Sequence, residues 1–203
     1  VDDQAASPDA AHGATEHGVR RFLEALRPHG LLQAGGALFQ HGEGGQQMLL
    51  IPGITSPAVT WDFIADPLSA HFEIHVLDVR GRGLSQGGDL DYSLDAMAED
   101  AVALVKTLGM NAPIVLGHSM GARTAIRAAR KAPEAFGGLI LVDPPVSGPG
   151  RRPYPSAWPW YEDSILLAQR GCSAEDMKAF CPTWTYEQRS LRELAYRVAD
   201  QFA

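Results

Sequence analysis

The sequence has little cysteine, no excess of basic residues and no long apolar run. Its two cysteines, Cys172 and Cys181, lie near no histidine, so we expect two reduced thiols, and the alternative is a disulfide or a metal pair. The formal charge of −7 gives no electrostatic reason to expect nucleic acid or an anionic membrane as a partner. No apolar stretch reaches transmembrane length, and residues 1–18 lack the pattern of a secretory signal. We therefore expect a cytoplasmic protein that binds neither a membrane nor nucleic acid.

Apolar residues make up 45% of the 203 positions, enough for one sizeable core. Residues 1–36 are interpreted as a tail with one short helix. Over residues 37–150, short apolar strand patterns alternate with helical patterns, which predicts an α/β fold with a mostly parallel sheet and helices on both faces. Residues 151–203 begin in a Pro/Gly loop and continue with helical patterns only, which predicts a helical lid that ends before the core is complete.

Periodicity and turn residues predict the individual elements of the core and lid. Ser93 is expected to cap a helix that Gly109 ends, and Ser173 with Asp176 resembles a capping box. The predicted strands are 37–41, 47–51, 74–78, 114–116 and 139–143. The predicted helices are 59–70, 93–108, 120–131, 160–170, 174–181 and 185–202, the first of which contains a proline that could split it.

The stretch GHSMG, residues 117–121, lies between a strand pattern and a helix pattern. A G-x-S-x-G motif in that context is typical of a nucleophile elbow, in which a strained turn exposes the serine at the sheet edge. Ser119 is therefore the candidate nucleophile, although a lone motif of this kind also occurs in ordinary tight turns. The N–H of Met120 begins the helix and can donate to an oxyanion.

A second oxyanion donor is expected from the loop after the strand that ends near Ile51. The N–H of Ile54, in the stretch IPGIT, has the required position, although a plain strand-to-helix turn has the same pattern. Asp143 closes the strand pattern LILVD beside the strand of Ser119, where a side chain can reach the active site. It is the candidate triad acid, and the alternative is an aspartate that caps the turn after it.

The stretch DVRGRGLS, residues 78–85, together with GHSMG, resembles the α/β-hydrolase superfamily. With IPGITSPAVTW and LILVDPPVSGPGRRPYP, the chain resembles most closely the N-formylmaleamate deformylases of bacterial nicotinate degradation. That resemblance implies an α/β-hydrolase fold, a Ser-His-Asp mechanism that gives maleamate and formate, and Asp143 as the acid. It also implies no cofactor, and structural roles for Asp78 and Arg80.

The substrate implied by the resemblance is a small anionic molecule, which a guanidinium would recognise well. Arg151 and Arg152 stand where the predicted lid begins and are candidates for that contact. Tyr154 and Trp158 are candidates for lining the pocket. The alternatives are two solvated charges and ordinary packing within the lid.

The histidine that a Ser-His-Asp mechanism requires is missing from its expected place. All seven histidines precede Ser119, whereas the order in α/β-hydrolases is serine, acid, histidine. The chain could be a fragment that ends before the histidine, a protein that has lost hydrolysis, or one whose base comes from the N-terminal region or a partner. A carboxylesterase, a carbon–carbon hydrolase and a non-catalytic binding protein remain alternative functions.

Overall fold

The computed structural model describes residues 37–146, 148–150 and 159–199, and a five-stranded sheet organises them. The strand order is β1-β3-β2-β4-β5, with β1 antiparallel to β3 and all other neighbours parallel. The strands are β1 (Ala37–His41), β2 (Gln46–Ile51), β3 (Phe72–Asp78), β4 (Ile114–His118) and β5 (Gly138–Val142).

Helices connect the parallel strands and continue after the sheet. Two short 3₁₀ helices, Ala58–Trp61 and Pro133–Ala135, accompany the α-helices of the described residues. The α-helices are α1 (Asp62–Leu68), α2 (Leu94–Thr107), α3 (Met120–Lys131), α4 (Pro159–Gln169), α5 (Ala174–Phe180) and α6 (Tyr186–Ala199). None of the helices in the described part of the chain is long and apolar enough to cross a membrane.

Alternate residues of the central strands support two separate apolar layers, as the period of two in a strand requires. Leu49 and Ile51 of β2 face a layer built with α2 and α3. Leu50, between them, faces the opposite layer, which includes Ala58 of the first 3₁₀ helix and Leu191 of α6. The predicted arrangement of a mostly parallel sheet with helices on both faces is therefore confirmed.

Most predicted elements agree with the structure to within two residues, and α3 has the predicted bounds. The hydroxyl of Ser93 accepts a hydrogen bond from the N–H of Ala96 at 3.1 Å and so caps α2. Ser173 and Asp176 form the predicted capping box at α5. The final helix is described to Ala199, and the predicted helix in residues 1–36 lies outside the described residues.

The predicted single helix over residues 59–70 is wrong in its first turn. A 3₁₀ helix comes first, and α1 begins only at Asp62. Both the N–H and the hydroxyl of Thr60 donate to the carbonyl of Pro57, at 2.9 Å and 2.6 Å. A threonine hydroxyl that bonds to nearby backbone favours such tight turns over the α-helix.

Candidate active site

Ser119 lies in a strained turn between β4 and α3. Its φ of +52° and ψ of −115° are unfavourable for a residue with a side chain. A Cβ on Gly117 would come within 2.5 Å of the Gly121 carbonyl oxygen, and one on Gly121 would overlap the carbonyl oxygen of Ile51. The two motif glycines therefore allow the strand and helix to cross closely enough for this turn.

Hydrogen bonds fix the backbone on both sides of Ser119. Its N–H donates to the carbonyl of Val142 at 2.9 Å, which ties the turn to the end of β5. Its carbonyl accepts from the N–H of Ala122 at 3.1 Å as α3 begins. Met120 occupies the first position of α3, where N–H groups have no acceptor within the helix. That N–H is available to a bound anion.

The residues between β2 and the first 3₁₀ helix, 52–57, approach the serine from the other side and are here called the oxyanion loop. A Cβ built on Gly53 would lie 3.5 Å from the Cβ of Ser119. The N–H of Ser56 donates to the carbonyl of Gly53 at 3.2 Å and closes a turn. Across the described ranges, the N–H of Ile54 has no intramolecular acceptor. This geometry leaves two N–H groups, of Ile54 and Met120, near the candidate nucleophile.

Asp143 follows β5 as Ser119 follows β4. The register pairs His118 with Val142, so the serine and the aspartate leave two neighbouring strands at the same level. Asp143 is exposed, and its φ of +46° belongs to a strained turn. The sheet thus brings the predicted nucleophile and the predicted acid to one edge, as the carboxyl ends of parallel strands do.

His118 packs beside the elbow instead of completing a triad. Its ring centroid lies 5.3 Å from that of Trp61, and its Nδ1 would lie 3.0 Å from a Cβ on Gly53. Burial lowers the pKa of His118, although the negative charge of Asp143 acts in the opposite direction. The Nδ1 atom is buried and has no hydrogen-bond partner in the described structure. These contacts place the side chain of His118 in local packing beside the elbow.

No histidine among the described residues is hydrogen-bonded to Ser119 or Asp143. His41 instead contacts Asp66 at 2.6 Å, and His75 contacts Glu73 at 2.9 Å. The predicted nucleophile, the predicted acid and the two predicted oxyanion donors are thus all among the described residues, and no described histidine is bonded to Ser119 or Asp143.

Asp78 and Arg80 connect loops around this edge of the sheet, in agreement with their expected structural roles. The carboxylate of Asp78 accepts from the N–H groups of Ala58 and Leu84 at 2.6 Å and 3.0 Å. Burial raises the pKa of Asp78 to about 6. The guanidinium of Arg80 donates to both oxygens of Asp100 at 2.7 Å and 2.6 Å.

Two arginines without a predicted role also contact the oxyanion loop. Arg82 donates from Nε to the carbonyl of Ile54 at 3.0 Å, and Arg192 of α6 donates from Nη1 to the carbonyl of Thr55. Arg82 lies within the stretch DVRGRGLS and could have been suspected from it. The sequence gives no such signal for Arg192, because a charged residue on an amphipathic helix is normally solvated.

All four predicted substrate-binding residues fall between the described ranges 148–150 and 159–199. They are Arg151, Arg152, Tyr154 and Trp158, which lie outside the described residues. The described ranges contain no group of three or more His, Cys, Asp or Glu side chains that could hold a metal ion.

Three comparisons relate the chain to known proteins. A family model of the alpha/beta hydrolase fold matches residues 39–170. N-formylmaleamate deformylase of Pseudomonas putida is 56% identical over 154 residues, which are 75% of this chain and 58% of that protein. The crystal structure of an N-formylmaleamic acid deformylase from Pseudomonas putida S16 has a TM-score of 0.72 and 58% identity, covering 82% of this chain and 69% of that one.

A less similar relative is also named as a hydrolase. The 2-(acetamidomethylene)succinate hydrolase of Mesorhizobium japonicum is 34% identical over 99 residues, which are 49% of this chain and 36% of that protein. The chain thus spans 58% of the length of the first relative and 36% of the second. The family model, which matches residues 39–170, includes both Ser119 and Asp143.

Proposed function

This chain belongs to the alpha/beta hydrolase fold family, and on that premise we propose that it is a serine hydrolase of small amides. The observation that carries the proposal is the strained turn at Ser119, which begins a helix and lies against Gly53 of the oxyanion loop. A turn of that kind, at the carboxyl edge of a parallel sheet, suits nucleophilic attack on a carbonyl group.

The proposed substrate is N-formylmaleamate, which would give maleamate and formate. The support is the 56% identity to a deformylase with that name, together with the 58% identity to a deformylase of known structure. Its carboxylate makes the substrate anionic, and Arg151 and Arg152 remain our proposed contacts for that charge. Tyr154 and Trp158 remain proposed pocket residues.

Attack forms the first covalent intermediate. The Oγ of Ser119 bonds to the formyl carbon while a base takes the hydroxyl proton, and the carbonyl oxygen becomes an oxyanion. The N–H groups of Ile54 and Met120 donate to that oxyanion. An imidazole that stands between Ser119 and Asp143 would serve as the base, with Asp143 orienting it, and it is the one part of this mechanism that the described residues do not supply.

Collapse of the oxyanion breaks the carbon–nitrogen bond. The leaving nitrogen takes the proton held by the base, and maleamate departs from a formyl-serine ester. Water then attacks the ester, the base again accepts a proton, and formate leaves as the hydroxyl of Ser119 is restored. No metal or organic cofactor enters these steps.

The first test measures formate released from N-formylmaleamate by protein expressed from its natural reading frame. Ser119→Ala should lower the rate by about four orders of magnitude or more, because the residual catalysis would come from binding and the oxyanion hole alone. Ser69→Ala is the matched control, since the Ser69 hydroxyl bonds only to the nearby carbonyl of Asp66, at 2.6 Å. That variant should keep the rate of the unmodified protein.

Two outcomes would contradict the proposal at different levels. Release of nitrophenol from simple esters without release of formate would retain Ser119 as nucleophile but favour an esterase. Failure of Ser119 to react with a fluorophosphonate probe, in folded protein, would remove the hydrolase assignment and favour a binding protein of the same fold.

A further inference from the structure

Three consecutive peptide groups of the oxyanion loop are each held by one hydrogen bond. The carbonyl of Gly53 accepts from the N–H of Ser56, the carbonyl of Ile54 accepts from Arg82, and the carbonyl of Thr55 accepts from Arg192. Because a trans peptide is planar, fixing one carbonyl also fixes the direction of the N–H that follows it. The hydrogen bond from Ser56 to the carbonyl of Gly53 therefore fixes the direction of the Ile54 N–H. The two arginines fix the next two peptide groups, so that rotation of these groups does not change that direction.

Arg192 brings the last helix into contact with this loop. The residue is only 5% exposed, and its guanidinium lies over the ring of Trp184, 5.5 Å from the ring centroid. On either side of it, Leu191 and Ala195 of α6 enter the apolar layer that contains the first 3₁₀ helix. The helix that carries Arg192 is thus packed on the element that follows the oxyanion loop, and the arginine extends that contact to the loop.

Arg82, in the loop after β3, holds the oxyanion loop as well. Besides its bond to Ile54, it donates from Nη1 to the carbonyl of Arg80 at 2.9 Å. Arg80 is in turn fixed by its two bonds to Asp100 of α2. The two arginines therefore connect the loop to α6 and, through Arg80, to α2, two elements that lie on opposite faces of the sheet.

We propose that Arg82 and Arg192 are positioning residues that set the direction of the Ile54 N–H and make it depend on the docking of α6. The inference rests on the proposed function for the role of that N–H. A planar guanidinium is suited to the task, because it has several donors in a fixed arrangement and stays charged at all relevant pH values. Neither arginine needs to touch the substrate in this role.

The test replaces each arginine by methionine and follows the loop directly. Hydrogen exchange of the Ser56 amide, which donates to the carbonyl of Gly53, should become at least about tenfold faster in Arg192→Met and Arg82→Met, because each variant releases a neighbouring peptide group to local opening. Arg189→Met is the matched control on the same helix, since Arg189 bonds to the carbonyl of Thr185 one turn earlier and stacks on Tyr186. It should leave exchange in the loop unchanged.

Kinetics then separate positioning from general stability. With N-formylmaleamate, kcat should fall about 10- to 100-fold in each arginine variant with KM nearly constant, since a misaimed donor loses part of the effect of an oxyanion-hole bond. Arg192→Lys should also be impaired, because an ammonium lacks the planar fork, and the double variant should lose less than the product of the single losses.

The outcomes for this inference and for the proposed function are distinct. Unchanged exchange of the Ser56 amide in folded Arg192→Met overturns the inference, whatever the activity. Faster exchange with an unchanged kcat overturns the positioning role in catalysis. If the unmodified protein releases no formate, the proposed function fails, and the exchange result alone then decides whether the arginines hold the loop.

Discussion

Asp78 is the residue whose ionisation is most tightly connected to the structure around the site. It is 2% exposed, and its two acceptor bonds join the start of the first 3₁₀ helix to the loop after β3. Burial raises its pKa from 3.8 to about 6, more than the N–H groups of Ala58 and Leu84 lower it. The carboxylate therefore connects two segments of the fold, and burial makes its ionised form unfavourable near neutral pH.

This raised pKa predicts an unusual pH dependence of stability. Between 3.8 and about 6 the folded protein binds more protons at Asp78 than the unfolded chain does, so the contribution of this group rises as the pH falls. The quantity to measure by urea titration is the free energy of unfolding of the unmodified protein minus that of Asp78→Asn. This difference should increase by about 2 kcal/mol as the pH falls from 7 to 4. The asparagine has no such titration, and its amide can accept only one of the two bonds.

A control with the opposite sign is available in the same loop region. The N–H and hydroxyl of Ser93 lower the pKa of Asp91, so the contribution of Asp91 should decline as the pH falls. The free energy of unfolding of the unmodified protein minus that of Asp91→Asn should accordingly decrease as the pH falls. If the free energy of unfolding of the unmodified protein minus that of Asp78→Asn also decreases as the pH falls, the pKa of the Asp78 carboxyl is not raised.

At the scale of elements, the sequence predicted most of the fold because local signals and burial agree there. The helix α3 has its small residues at the spacing of a buried stripe, and Ala122, Ala125 and Ala128 are fully buried. Ser93 and Ser173 mark helix starts by bonds within one turn of the chain. Such features are local, so a sequence pattern can identify them.

What the sequence did not predict depends on contacts between distant segments. In the 3₁₀ turn before α1, the N–H of Ala58 donates to the carboxylate of Asp78, 20 positions later in the chain. The bond from Arg192 to Thr55 joins residues 137 positions apart, and no local pattern encodes it. The candidate site could be located from the elbow motif, but Arg192, which holds its oxyanion loop from α6, could not.

The crossing of β2 and α3 gives a prediction at this scale. A Cβ on Gly121 would overlap the carbonyl oxygen of Ile51, and backbone cannot move away as a flexible side chain would. Gly121→Ala should therefore lower the free energy of unfolding by about 1–3 kcal/mol, as overpacking does in a close-packed interior. Chemical denaturation measures this directly.

Gly138→Ala is the comparison for that experiment. A Cβ at Gly138, the first residue of β5, would meet no atom within 4 Å. Its free energy of unfolding should stay within about 0.5 kcal/mol of the unmodified value. Equal effects of the two substitutions would mean that general loss of glycine, and not the contact with Ile51, determines the result.

At the scale of the whole molecule, the described residues leave one side of the sheet open. Among them β5 pairs only with β4, and its apolar side chains remain between 39% and 43% exposed. These residues are Leu139, Ile140, Leu141 and Val142. The opposite edge strand, β1, has Leu38 and Phe39 at 4% and 5% exposure. An open, apolar strand edge is a template for pairing with another chain.

The 203-residue polypeptide should therefore associate through β5. We expect light scattering to give a mass well above the 21.8 kDa of one chain at micromolar concentration. Ile140→Lys should shift the population toward that monomer mass, because a charged side chain on an edge strand opposes pairing. Leu166→Lys, at a residue of α4 that is 57% exposed and away from the sheet, should leave association unchanged. If the unmodified polypeptide is monomeric, the exposed side chains of β5 are tolerated in water. If both lysine variants dissociate it equally, the β5 edge is not the surface through which the chains associate.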